Sequence, residues 1–132
     1  MLPSAVRDGL VTRLQTIAGL RCYDTLPDAV TPPCAVIGNL DLTFDIDNAR
    51  GLDQANLDIL IIVQRMSERA GQNKLDAFLA GTGAGSIKTA IEGDRTLGGA
   101  VQTLRVISAS PGEYESAGTL FLAYRYRLTI YG

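Results

Sequence analysis

Three short stretches of this 132-residue chain carry residue types from which chemistry is usually built. The first, GTGAGSIKT over residues 81–89, sets Gly81, Gly83 and Gly85 ahead of Ser86, Lys88 and Thr89. A phosphate-binding loop uses glycines so that backbone N–H groups and a lysine can converge on phosphate. Its pattern, G-x-x-x-x-G-K-[ST], needs glycine directly before the lysine and a strand before the loop. Here Ile87 precedes Lys88, and the preceding LDAFLAG has helical spacing. The dinucleotide fingerprint G-x-G-x-x-G fails too, because the third glycine arrives one residue early. The spacing fits a hinge instead: Gly81 ends one helix, Gly83 and Gly85 permit the reversal, and Ser86 caps the next.

The second stretch is the acidic run DLTFDIDNARGLD, residues 41–53. A calcium loop starting at Asp45 would need glycine at its sixth place and glutamate at its twelfth, and those places hold Arg50 and Asn56. On a strand, Asp41, Asp45 and Asp47 share one face rather than surrounding a point. That face is solvated, or meets arginines on a neighbouring subunit, or lines a channel whose contents should not adhere. The third stretch, YRYR at residues 124–127, puts Arg125 and Arg127 on one side of the last strand. Two readings stay open for them, cross-strand pairing within the chain and pairing across an interface, where arginine is enriched. Asp41, Asp45, Asp47, Arg50, Asp53, Arg125 and Arg127 are therefore the candidates for contact with a subunit or another assembly partner. No residue is assigned a catalytic, cofactor-binding or metal-binding role, and no cofactor is expected. The chain has no histidine, the usual participant in zinc sites and serine triads. Cys22 and Cys34 read as reduced, buried thiols.

The elements that must position these residues follow from periodicity. Ser4 is placed to cap a helix whose Val6, Leu10, Leu14 and Ile17 form one apolar stripe, with Gly19 as its stop. Residues 20–23 read as a short strand and the proline-rich 24–33 as a loop. From Cys34 to Asp47 the alternation is clean, with Val36, Leu40, Leu42, Phe44 and Ile46 on one side. Residues 55–65 then form a second strand, apolar on both faces through Leu57–Val63. A strand of 14 residues reaches roughly 45 Å, so the hairpin about 40–56 is expected to project as an arm. A helix from Ser67 follows, burying Ala70, Leu75, Phe78 and Leu79, then a short one burying Ile87, Ala90 and Ile91. Residues 100–109 form a strand, SPGEYESAG a turn-rich connection, and Thr119–Tyr131 the last strand. The order predicts one α+β domain over 1–132. It has an antiparallel sheet of four to five strands, two to three helices on one side and a long projecting hairpin.

Composition sets wider bounds. Apolar residues make up 46% and charged residues 20%, the balance of a folded chain. A formal charge of −2 is no footprint for general nucleic-acid binding. No run approaches the roughly 18 apolar residues that span a bilayer, and MLPSAVRDGL lacks a signal core, so neither membrane insertion nor secretion is expected.

The run KLDAFLAGTGAGSIKTAIEGDRTLGGAVQTLRV, followed by a turn and GTLFLAYRYRLTIYG, resembles the tail terminator (tail completion) proteins of long-tailed bacteriophages. That family orders a leucine-rich helix, a G…GSI…AI helix start, an LGG-V lead-in to a strand and a terminal alternating strand in this way. The passage GLRCYDTLPDAVTPPCAVIG is similar to its GL-V…PP-A-V passage. The resemblance implies a non-enzymatic virion protein at the head-proximal end of the tail, made in the host cytoplasm. Such subunits assemble as a homo-oligomer, usually a hexameric ring, on the finished tail tube. They stop its polymerisation and present the surface that meets the head connector, and DNA passes through without sequence-specific binding. The alternatives are another phage neck, head-completion or tail tube subunit, a small host enzyme, and a nucleotide-binding module.

Overall fold

The computed structural model describes residues 1–23, 32–46, 51–65, 72–116 and 118–132. Its first helix, α1 (Pro3–Leu14), begins on a proline, whose fixed φ suits the first turn and whose missing N–H would have found no helical acceptor. Ser4 therefore lies inside the helix. Leu2 holds the cap position, with no side-chain bond. Val6, Leu10, Leu14 and Ile17 are buried as their spacing requires, and Gly19, at φ +80°, turns the chain toward β1 (Arg21–Tyr23).

Among the described residues six strands make one mixed sheet. Its order is β1, β2 (Cys34–Ile37), β4 (Gln54–Arg65), β6 (Thr119–Tyr131), β5 (Thr103–Ser116), while β3 (Asp41–Thr43) pairs β4 beyond the end of β2. Among the described residues β1 and β2 run parallel, and β2–β4, β3–β4, β4–β6 and β5–β6 are antiparallel. Helices α2 (Gln72–Leu79) and α3 (Ile87–Glu92) join α1 over one sheet face. There Val6, Leu10, Phe78, Ile87 and Ile91 meet Ile37, Leu57, Ile59, Ile61, Leu104, Leu128 and Ile130 in the main core. The opposite face holds a smaller buried cluster of Cys34, Val36, Ile62, Phe121 and Ala123. Apolar residues on both faces of β4 thus serve two cores. The α+β class and the helices beside a sheet agree with the sequence reading.

The projecting arm does not. The expected strand 34–47 is two strands separated at residues 38–40, and the β3–β4 ladder has only three pairs, Asp41↔Asn56, Leu42↔Ala55 and Thr43↔Gln54. The interruption shifts the phase of the alternation. Val36 lies in the smaller cluster, whereas Leu40 and Leu42 pack on the main core, and Phe44 and Ile46 are exposed. Asp45 then takes a left-handed φ of +52°, which the local hydrogen bonds of a short polar side chain tolerate. The long hairpin is β5–β6, whose register runs from Thr103↔Tyr131 to Ser116↔Thr119. The segment SPGEYES, expected as a turn, continues β5. Proline is accepted within it because β5 is an edge strand, where a missing N–H breaks no ladder bond. The helix expected from Ser67 is described only over its 72–79 part, and Ser67 and Ala70 fall outside the described residues.

Tyr126 ties the two layers together. Its buried hydroxyl donates to the Phe78 carbonyl at 2.9 Å, so Tyr126→Phe leaves that carbonyl short of a partner and is expected to cost about 1–2 kcal/mol. Burial, with the nearby Tyr124, pushes the phenol well above the ordinary tyrosine range. An acid whose folded pKa is raised contributes fully below its unfolded pKa, about 10, and loses that contribution as pH climbs through the folded value. Thermal melts of the wild type should therefore decline more steeply above about pH 10 than those of Tyr126→Phe. Parallel curves would show that the phenol does not set this dependence.

Candidate functional site

The glycine stretch is a hinge between two helices. Gly83 adopts φ +112°, which a side chain would strain, and the three polar groups that follow are taken up locally. Ser86 Oγ accepts from the Thr89 N–H at 3.2 Å and donates to the Ala80 carbonyl at 2.5 Å, closing the turn and capping α3. Thr89 Oγ1 donates to the Gly81 carbonyl, and Lys88 Nζ pairs with Glu92 Oε1 at 2.5 Å. The lysine is thus directed along its own helix. Among the described residues, no group of three or more His, Cys, Asp or Glu is placed to hold a metal ion. No described helix is long and apolar enough to cross a membrane.

Three surface features remain. The first is formed by residues 44–46 and 51–53, the described parts of the turn between β3 and β4. Asp45 N–H donates to Asp53 Oδ1 at 3.1 Å, Gly51 N–H donates to Asp45 Oδ1 at 3.3 Å, and Ile46 N–H donates to the Leu52 carbonyl at 2.9 Å. Asp53 is held to Gly132 by two backbone hydrogen bonds of 3.0 Å, which anchors the turn to the chain end. Asp45 and Asp53 therefore shape the turn as well as charging it, and Asp41 stands exposed beside them on β3. Phe44 is 68% exposed and Ile46 38%, so two large apolar side chains stand in water among three aspartates. Asp47 and Arg50 lie outside the described residues.

The second feature lies on the sheet face opposite the three helices. Arg127 Nε lies 3.6 Å from Asp58 Oδ1 and Arg125 Nε 3.7 Å from Asp58 Oδ2, so two arginines share one carboxylate. Their intrachain partner is a residue outside the acidic run. Asp58 sits directly opposite Arg127 in the β4–β6 register, a position visible only once the strands are aligned. Both guanidinium side chains remain more than 60% exposed, so the pairs are worth only a few tenths of a kcal/mol, on the order of a surface ion pair. Asp41, Asn56, Asp58 and Arg127 line a shallow depression of about 620 Å³ here.

The third feature escaped the sequence reading. Along the outer edge of β5, Lys88, Glu92 and Arg95 face Thr103–Val106 across a groove of about 420 Å³, which Arg105 also lines. Glu92 Oε2 accepts the Val106 N–H at 3.1 Å, fastening α3 to the edge strand. Burial opposes the Glu92 charge, but Lys88 and the Val106 N–H outweigh it and hold the carboxyl below its usual range. This tie is complete above the ordinary glutamate range and weakens as pH falls through the lowered value. Just beyond the groove Ile107 is the extra residue of a β-bulge and is 49% exposed. No motif marks this groove, since it joins a helix and a strand whose adjacency is tertiary.

No family model matches this chain. No curated protein matches it either. The chain is similar to a solved structure described as "Virion of native gene transfer agent (GTA) particle", with 15% identity, 98% of this chain and 96% of that chain covered, and a TM-score of 0.49.

Proposed function

We propose that this chain is a structural virion protein that acts by binding: a ring-forming tail terminator. In this reading it caps the tail tube, halts its polymerisation and offers the joining surface for the head connector. The observation that carries the reading is the ordered set of sequence patterns and the places those patterns occupy. GSIKTAI forms the cap and body of α3, with Ser86 closing the hinge. LGGAV forms the lead-in to β5, with positive φ at Leu97, Gly98 and Gly99 and with Asp94 accepting from Thr96 and Gly98. The terminal alternating stretch is β6, the strand flanked by β4 and β5. A long edge strand and an exposed apolar turn suit a subunit that completes itself against neighbours.

Electron microscopy of the purified protein, alone and mixed with tail tubes, tests this. Single rings, or caps at tube ends, are expected. Self-stacking into long tubes would identify a tube subunit. Particles that neither associate nor touch tubes at any concentration would overturn the reading.

A further inference from the structure

The distal part of β5 carries an open sheet edge. From Ser108↔Arg127 to Ser116↔Thr119 its pairing with β6 runs without a further shift. Pro111, opposite Tyr124, has no N–H to give to that ladder, so it occupies a place where the backbone groups face away from β6. Backbone direction alternates along an antiparallel ladder, so the N–H and C=O groups of Ala109, Glu113 and Glu115 face away too. Residues 109–113 and 115 are exposed, and among the described residues β5 ends the sheet on this side. Nearer its start the strand is protected, because Glu92 takes the Val106 N–H. The open run is therefore 109–115, broken once by the proline.

The side chains along this run set what it can accept. Glu113 and Glu115 stand opposite Leu122 and Leu120, on the helix-bearing face, where Leu122 packs on the main core. Tyr114, opposite Phe121, lies on the other face beside the smaller cluster. The edge thus presents acid, aromatic, acid. Antiparallel pairing with a second copy here would gather the glutamates of both chains on one face, a repulsion that guards the edge against itself. A strand with cations at the two outer places and a β-branched residue between them fits. Opposite charges and aromatic–β-branched pairs directly across a ladder both favour pairing.

We infer that residues 109–115 accept an added antiparallel strand from a different protein, with lysine or arginine opposite Glu113 and Glu115 and a β-branched residue opposite Tyr114. Main-chain hydrogen bonds hold such a strand and the alternate side chains select it. The inference goes beyond the ring reading and does not depend on it.

The probe is the peptide acetyl-TKVKT-amide, titrated into the full-length chain and followed by amide hydrogen exchange. Binding should slow exchange at the Glu113 and Glu115 amides. Acetyl-TEVET-amide should bind about tenfold more weakly or worse, since both cross-strand pairs become repulsive. TKVKT methylated on its two lysine amide nitrogens keeps its charge but loses its backbone donors, and should weaken by about tenfold as well. Glu113→Pro gives up only an outward N–H, so it should keep the fold and bind the parent peptide about tenfold more weakly. The methylated peptide decides the matter on the wild type if that variant does not fold. Equal binding of the methylated and parent peptides would overturn the proposal. So would protection confined to other acids, such as Asp41 or Asp58, or no binding at about millimolar peptide. None of these outcomes bears on ring or cap formation, which microscopy reads separately.

Discussion

Ile59→Ala is expected to destabilise the protein by about 2–5 kcal/mol, lowering its melting temperature by roughly 10–20 °C for a domain of this size. Ile59 is fully buried in the main core, opposite Ile37 on one neighbouring strand and Tyr126 on the other. Truncation removes three buried methyl or methylene groups at a point where β2, β4 and β6 run side by side. Because strands on both sides are fixed by their ladders, the space cannot collapse fully, and the cavity adds to the lost transfer energy. Thermal denaturation checks this directly. A drop of only a few degrees would mean that the two layers do not close on β4. Exposed Leu120, by contrast, should tolerate alanine within about 0.5 kcal/mol.

The second large effect is expected at Gly38. A Cβ added there would lie 2.5 Å from the Asp58 carbonyl oxygen, an atom of the backbone that cannot rotate away. The same oxygen accepts the Gly38 N–H at 2.9 Å, so the close approach is itself a hydrogen bond. Gly38→Ala must therefore push β2 and β4 apart just where β2 ends, at a cost of about 1–3 kcal/mol. The strain also reaches Asp58, which holds Arg125 and Arg127. Urea unfolding of Gly38→Ala beside Gly81→Ala, which meets open space, separates the clash from a general loss of glycine. Equal midpoints for the two would refute the close approach.

Local order was legible wherever one element decided it. The apolar stripe of α1 and the bounds of β6 follow from spacing alone, because burial of one face imposes a period on the chain. The Ser86 cap and the Gly83 turn were equally legible, since caps and left-handed turns depend on a few adjacent residues. The two apolar faces of β4 also showed, because a run such as LDILIIV cannot leave either side in water.

What depended on the whole sheet did not show. Residues 34–47 alternate well enough to suggest one strand, yet residues 38–40 separate β2 from β3 and reset the phase, so the projecting arm becomes a short ladder. SPGEYES reads as a turn because proline and glycine usually break strands. Only its place at the sheet edge, where a missing N–H goes unnoticed, lets it continue β5. The partner of Arg125 and Arg127 was hidden for the same reason: register selects Asp58 over the more conspicuous aspartates of 41–53. The sequence by itself determined the class of fold, the hinge at 81–86 and the stock of charge, all of which rest on composition and near neighbours. The tertiary structure alone decided which strand lies at the edge and which charges stand side by side, because those are set by distant segments closing on a common core.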